Sequence, residues 1–250
     1  MRPLYSNQID RYIYLAECDS TNNLALLNLS NNGPKENICI YTYNQSAGRG
    51  QIGRKWYSGS GKNLTCSFRI PLDAYPVSQQ FYLNMTFALA VKDFIRRFIS
   101  DEVSIKWPND IYVGDKKIAG LLIQNTLRAE YISSTILGVG INVNETDFPS
   151  DLPNPLSLQQ LVGIPQDLLT LQQLLAAIVM DKLERLLERA QDYRNEYLNA
   201  LFRKGVPASY IVADTDVTGI IQGISESGKL EVAFNGRSRL FSFREIAYVI

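Results

Sequence analysis

Gln45-Ser46-Ala47-Gly48-Arg49-Gly50-Gln51-Ile52-Gly53-Arg54-Lys55-Trp56 is a glycine loop set with cations. Its three glycines let a backbone turn tightly and approach a ligand, because no Cβ stands in the way. Its backbone N–H groups and forked guanidinium groups suit phosphate or carboxylate oxygens. The surrounding charge is one-sided. From Asn37 to Leu72 there are five basic residues, Arg49, Arg54, Lys55, Lys62 and Arg69, and no Asp or Glu. The whole 250-residue chain is neutral, with 25 basic and 25 acidic residues. A local excess in a neutral protein points to an anion site more than to a broad nucleic-acid surface. By itself the loop reads equally well as a solvated surface turn.

Outward from the loop, the strongest constraint is an absence. The chain has no histidine, which excludes Ser-His-Asp and Cys-His catalysis and the usual zinc enzymes. Lys, Arg, Asp, Asn, the backbone and a hard cation such as Mg²⁺ remain. Chemistry at phosphorus suits that set, since it depends on positioning and charge neutralisation. Three widely spaced cysteines, Cys18, Cys39 and Cys66, predict reduced thiols and a cytoplasmic location. No apolar run approaches the ~20 residues of a membrane span, and Met1–Asn7 lacks the apolar stretch of a signal peptide.

The loop is fed by a β-branched and aromatic strand, Ile38–Tyr43, and left by another, Asn63–Ile70. Before them come a strand at Arg11–Leu15 and a helix capped at Asp19–Asn22, running through Asn31 to a stop at Gly33. Gln79–Ile99 has helical apolar spacing. Val103–Trp107 is a short strand stopped by Pro108; Ile111–Val113 and Lys116–Ile123 form a hairpin about Gly114-Asp115; Tyr131–Val143 is a further strand. Thr170–Lys204 is an amphipathic helical region with a Thr170/Gln173 capping box and an apolar face including Leu171, Leu175, Leu186 and Leu187. These irregular alternations predict an α+β fold: a mixed, largely antiparallel sheet with packed helices, not a doubly wound sheet. From Pro207 the glycine-punctuated strands predict a small SH3-like β-barrel, giving units 1–205 and 206–250.

Four further clusters carry candidate chemistry. Lys106-Trp107-Pro108-Asn109-Asp110 fixes a cation, an amide and a carboxylate around a proline; Asn109 and Asp110 are hard oxygen donors of the kind Mg²⁺ prefers, or a solvated Asx turn. In Lys116-Lys117-Ile118-Ala119-Gly120-Leu121-Leu122-Ile123, strand alternation places Lys117 with Ala119, Leu121 and Ile123 on an apolar face, where an anion would compensate it or the side chain would snorkel out at a sheet edge. Gly120 marks a close approach. Gly138-Val139-Gly140-Ile141-Asn142-Val143-Asn144 offers room for a ring and an amide able to read an adenine edge, though by itself it reads more readily as a plain strand terminus. Ser20-Thr21-Asn22 can both cap a helix and meet a polar ligand.

In order and spacing these motifs resemble the biotin protein ligases, in a short form without an N-terminal DNA-binding domain. Gly-Arg-Gly with Gly-Arg-x-Trp, then Lys-Trp-Pro-Asn-Asp, then Lys-x-Ala-Gly covers roughly Asp19–Asn144 and is highly specific. The resemblance implies a class II synthetase-like fold. It also implies ATP-dependent formation of biotinyl-5′-AMP and transfer of biotin to a lysine of a biotin carboxyl carrier domain. It implies that Ser20, Thr21, Asn22, Gln45, Arg49, Gly50, Gln51, Lys117 and Gly120 serve biotin. Arg49, Gln51, Arg54, Trp56, Lys106, Asn109 and Asn142 would serve the nucleotide, and Asn109 and Asp110 Mg²⁺. Lys117, Arg49 and Asp110 would be catalytic, with Asp110 a candidate proton recipient from the acceptor lysine. Trp56 would close over the nucleotide. A homodimer is compatible with the family.

Three departures stand out. Gln51 replaces a common arginine, which predicts weaker retention of the acyl-adenylate than in a Gln51→Arg variant. Gln124 replaces a glutamate, and Arg244-Glu245 replaces Gly-Glu. The stretch before Tyr12 is too short for a helix-turn-helix, which predicts no DNA partner. A lipoate or octanoate ligase of the same fold is the nearest rival, and a non-catalytic nucleotide- or RNA-binding module the more distant one.

Overall fold

The computed structural model describes residues 8–27, 36–51 and 53–250. In chain order the strands are β1 (Arg11–Tyr14), β2 (Ile38–Thr42), β3 (Leu64–Pro76), β4 (Val103–Lys106), β5 (Asp110–Val113), β6 (Lys116–Arg128), β7 (Tyr131–Ile141), β8 (Pro207–Val212), β9 (Thr215–Ile224), β10 (Leu230–Phe234), β11 (Arg237–Phe241) and β12 (Ala247–Tyr248). The helices are α1 (Thr21–Leu27), α2 (Gln80–Ile95), α3 (Leu158–Val162), α4 (Leu168–Glu184) and α5 (Leu186–Asn199). The expected continuation of α1 to Asn31 and Gly33, and the Met1–Asn7 segment, lie outside the described residues.

Seven strands form one sheet in the order β1-β2-β3-β7-β6-β5-β4. β1 and β2 are parallel, and every other pair in this sheet is antiparallel. The mixed, largely antiparallel α+β fold is therefore as the sequence predicts. Side-chain alternation separates the two faces. On β2, Cys39 joins the main core while Ile38 and Ile40 join a smaller cluster with Ala25 of α1 and Ile136 of β7. α1 thus covers one face. The other face meets α2, which packs in turn on α4 and α5. Enclosed between sheet and helices, α2 is buried on nearly every side (Leu83, Phe87, Val91 and Phe94 among others), as an all-round apolar helix must be.

The C-terminal strands form a second sheet, β11-β10-β9-β8-β12. It is open, with β11 and β12 as edges, so the expected closed barrel is not what the pairing describes. Its core is continuous with that of the large sheet: Tyr210, Ile221 and Val232 share one apolar cluster with Trp107 and Tyr197. Trp107 Nε1 donates to Gly228 O across the junction at 2.9 Å.

The predicted helical region from Thr170 is two helices. Its N-cap is Asp167, whose carboxylate accepts from Thr170 N–H at 2.8 Å. Thr170 is therefore three residues inside the cap, and the expected box there is not formed. A reciprocal box caps α3 instead, between Ser157 and Gln160. Leu187 is exposed, because the helix restarts after Glu184 and shifts the apolar face to Leu186, Tyr193 and Tyr197.

Candidate active site

A cavity of about 320 Å³ opens on the α1 face of the large sheet. Its floor is set by strand register. Gly120 pairs with Gly140, Leu122 with Gly138 and Gln124 with Ile136, so the glycines share the face that carries Ile136 and α1. The reason for glycine is steric at each position. A Cβ on Gly138 would lie 2.0 Å from Asn22 Oδ1, and one on Gly140 2.2 Å from the Trp56 ring.

At one end of the floor, the start of α1 presents a buried polar nest. The Ser67 hydroxyl donates to Asn22 Oδ1 at 2.5 Å and stands 2.8 Å from Thr21 Oγ1. Thr21 donates to Gln45 Oε1 through its backbone N–H (2.9 Å) and its hydroxyl (3.3 Å). Asn22 Nδ2 donates to Leu122 O and to Gln124 Oε1 (3.3 and 3.1 Å). Ser20, Thr21 and Asn22 are all buried. Such groups stay in an interior only when hydrogen-bonded, and their bonds hold the Thr21 and Asn22 side chains in one orientation. Ser67 and Gln124 belong to this nest. A serine alternating with Cys66 and Phe68 on an inner strand was the available signal for Ser67.

At the other end lie the charges. Lys117 does not point with Ala119 and Leu121. The β5–β6 ladder pairs Ile111 with Ala119 but Tyr112 with Lys117, leaving Ile118 as an extra residue. This bulge restarts the alternation and turns Lys117 onto the glycine face. Its Nζ is 2.7 Å from Asp110 Oδ1 and would be 3.2 Å from a Cβ on Gly120. Asp110 pairs with Lys106 across β4 and β5. Lys106 Nζ is 3.3 Å from Tyr112 Oη and 5.1 Å from the ring centres of both Tyr112 and Tyr248. Burial is the main influence on Lys106 and lowers its pKa, opposed by the charge of Asp110. Burial likewise raises Tyr112. Asn109 donates its amide N–H to Leu121 O.

The glycine loop is a small hairpin over this floor. Arg49 and Lys55 form a bridge, Gly50 N–H donates to Arg54 O (3.0 Å), Arg54 N–H to Gln51 O (2.8 Å) and Trp56 N–H to Gly48 O (2.9 Å). A Cβ on Gly48 would lie 2.5 Å from Trp56 O, which explains glycine there. Arg49 reaches Asn23 Oδ1 at 2.6 Å. Asn23 in turn donates to Asp19 (2.8 Å) and, ahead of the Ser20 N–H and Arg49, lowers the Asp19 pKa. Trp56 lies against Gly120 and Gly140 with Lys117 Nζ 5.5 Å from its ring centre, and its buried Nε1 has no hydrogen-bond partner. Its indole thus rests on the glycine floor itself.

The structure brings together Ser20, Thr21, Asn22, Gln45, Arg49, Gly50, Gln51, Arg54, Trp56, Lys106, Asn109, Asp110, Lys117 and Gly120 as lining of one cavity. Asn142 is not among the lining residues. It is buried, its Nδ2 donating to Leu156 O (3.0 Å) and its N–H to Ile118 O (2.9 Å). The side-chain bond ties the strand end to the segment before α3 and the backbone bond ties it to β6. Sequence reasoning also missed Phe243, Arg244, Ile246 and Tyr248, which the C-terminal sheet contributes. Among the described residues no cluster of three or more His, Cys, Asp or Glu is arranged to hold a metal.

Against known proteins, the model of the Biotin/lipoate A/B protein ligase family matches residues 14–142, just over half of the chain. The chain belongs to this family. Matched segments are 32% identical to the bifunctional ligase/repressor BirA of Escherichia coli over 227 residues, covering 87% of this chain and 68% of that protein. The BirA of Salmonella typhimurium is also 32% identical, over 79% of this chain and 62% of its own length. The chain therefore spans about two thirds of these relatives. The biotin–[acetyl-CoA-carboxylase] ligase of Mycobacterium tuberculosis is 26% identical over 94% of this chain and 88% of its own. The fold of the biotin protein ligase from Aquifex aeolicus, solved with biotin and ATP, superposes with a TM-score of 0.77 at 24% identity, covering 96% of this chain and 98% of that one. No helix among the described residues is long and apolar enough to cross a membrane.

Proposed function

We propose that this chain activates biotin with ATP to biotinyl-5′-AMP and transfers the biotinyl group to a lysine of a biotin carboxyl carrier domain. One observation carries the reading: a glycine floor that admits a flat ring lies between a neutral polar nest and a cation cluster centred on Lys117. The nest of Ser20, Thr21, Asn22 and Gln45 supplies donors and acceptors to an uncharged bicyclic head group. The cations suit a carboxylate meeting a triphosphate.

Biotin's carboxylate is ionised at neutral pH, so attack on the α-phosphorus needs no general base. A carboxylate oxygen bonds to phosphorus, the bridging P–O bond breaks, and pyrophosphate leaves with its electron pair. Lys117 neutralises charge between carboxylate and α-phosphate, and Asp110 orients it. Arg49, Arg54, Gln51 and Lys106 hold the phosphates. Asp110 and Asn109 retain oxygens able to hold a Mg²⁺ that arrives with ATP, and that ion would supply charge neutralisation; it favours few protein ligands beside phosphate and water, which this sparse donor set suits. In the second step the carrier amine attacks the acyl carbon and AMP leaves; Asp110 is the proposed proton recipient. A cytoplasmic site of action accords with reduced thiols and with a carrier of metabolic enzymes.

Incubation of an apo carrier domain with the protein, biotin, Mg²⁺ and ATP tests this. Mass spectrometry should find one biotinyl adduct on one lysine. An unmodified carrier, or an adduct with lipoate in preference to biotin, would contradict it.

A further inference from the structure

The turn joining β11 to β12 adds a cation to the cavity that none of the roles above uses. Glu245 N–H donates to Ser242 O at 3.1 Å, and Ser242 N–H donates to Glu245 Oε2 at 2.6 Å. The turn is thus closed by backbone and side chain together. Its third residue, Arg244, has φ of 75°, whereas Phe243 has no positive φ. That combination is a type II turn, whose third position is sterically glycine's. A long cationic side chain is an unfavourable occupant, and strain of this kind persists where the surroundings over-determine it, commonly at ligand sites.

The location gives that strain a purpose. Arg244 lines the cavity, and its guanidinium carbon is 5.8 Å from the Phe243 ring centre. A Cβ on Gly53 would lie 3.6 Å from its Nη2, so it reaches the tip of the glycine loop. With it, the lining holds six cations, Arg49, Arg54, Lys55, Lys106, Lys117 and Arg244, against the single carboxylate Asp110. An adenylate has one phosphate and no need of six. A triphosphate extending from Lys117 toward the C-terminal sheet does.

We propose that Arg244 binds the β- or γ-phosphate of ATP, clamping the departing pyrophosphate between the C-terminal sheet and the tip of the glycine loop. The inference rests on the adenylation reading above. It makes Arg244 a residue that selects triphosphate over monophosphate without touching biotin or the acyl-adenylate.

Arg244→Gly keeps the turn, because glycine accepts its φ, and Arg244→Asn does so with a polar side chain. In biotin-dependent exchange of pyrophosphate into ATP, both variants should raise the KM for ATP and for pyrophosphate about ten- to a hundred-fold, the span of one charge-assisted hydrogen bond. The KM for biotin and the affinity for a non-hydrolysable biotinyl-adenylate should stay within about two-fold, well short of the tenfold that 1.4 kcal/mol represents. A turn with only a structural role would shift all four constants together, or none. Parent-like ATP and pyrophosphate constants in both variants would overturn the assignment of Arg244. Failure of the parent protein to exchange with biotin would overturn the adenylation reading instead.

Discussion

The glycine floor and the glycine loop use the same residue for opposite ends. Gly120, Gly138 and Gly140 sit in paired strands, where ladder hydrogen bonds fix the backbone and the missing Cβ is the feature that matters. Among its described residues, the loop at Gly48–Trp56 is held by three local backbone bonds, two of which make the Arg49–Lys55 β-bridge, and by the Arg49 bond to Asn23. A floor built into a sheet holds its shape whether or not ligand is present, while a hairpin so lightly tied can reorganise around one. In the proposed function, recognition of the ring would thus belong to the sheet, and charge neutralisation to the loop and to the bulge that turns Lys117.

The largest effect should come where the two regions meet. Lys117→Ala should slow adenylation by about 10²–10³, the usual consequence of losing one donor aimed at developing charge. Single-turnover formation of adenylate measures it, and biotin affinity should fall far less. On the floor, Gly138→Ala should destabilise the fold by about 1–3 kcal/mol, the range for overpacking a tight site. Its methyl meets Asn22 Oδ1 and would break the bonds to Ser67 and Gln124. Urea unfolding together with calorimetric biotin binding reads both consequences.

A smaller effect concerns pH. Burial lowers Lys106 from the ordinary lysine value of 10.5. In the free protein its cation is lost, as pH rises, earlier than that of an exposed lysine. The kcat/KM for ATP should thus begin to fall below the ordinary lysine range, and Lys106→Arg should remove that limb. Stability carries the opposite sign: the penalty on the buried ammonium is present at neutral pH and is relieved as pH climbs through the lowered value toward the unfolded one. The smallest effect is spectroscopic. A ring ligand taking the floor must move the Trp56 indole, so tryptophan emission should change when biotin binds. Trp107 also lines the cavity but is buried and bonded to Gly228 O, so Trp56→Phe should remove most of the change.

Much of the site was legible because its chemistry lies in contiguous motifs. Gly-Arg-Gly, Lys-Trp-Pro-Asn-Asp and Lys-x-Ala-Gly announce themselves, and apolar periodicity marks the strands and α2. What the sequence concealed depends on register and on long-range contact. Strand alternation alone assigns Lys117 to the wrong face, because one inserted residue opposite the Ile111–Tyr112 step cannot be read from either strand separately. Asn142 has the residue type for adenine, but its side-chain bond to Leu156 O, fourteen positions later, could not be read from the strand. Ser67 joins the nest behind the cavity and Arg244 reaches the cavity lining through long-range contacts that their local sequence does not show. The open second sheet reflects edge strands β11 and β12 that do not pair with each other, a fact of three-dimensional closure beyond any local pattern.

Exchange of labelled pyrophosphate into ATP, run with biotin, with lipoate and with neither acid, addresses the central claim most directly. The floor, the nest and Lys117 together predict exchange with biotin, little with lipoate and none without acid, and its loss in Lys117→Ala. Exchange supported by lipoate alone, or full exchange in Lys117→Ala, would contradict the account.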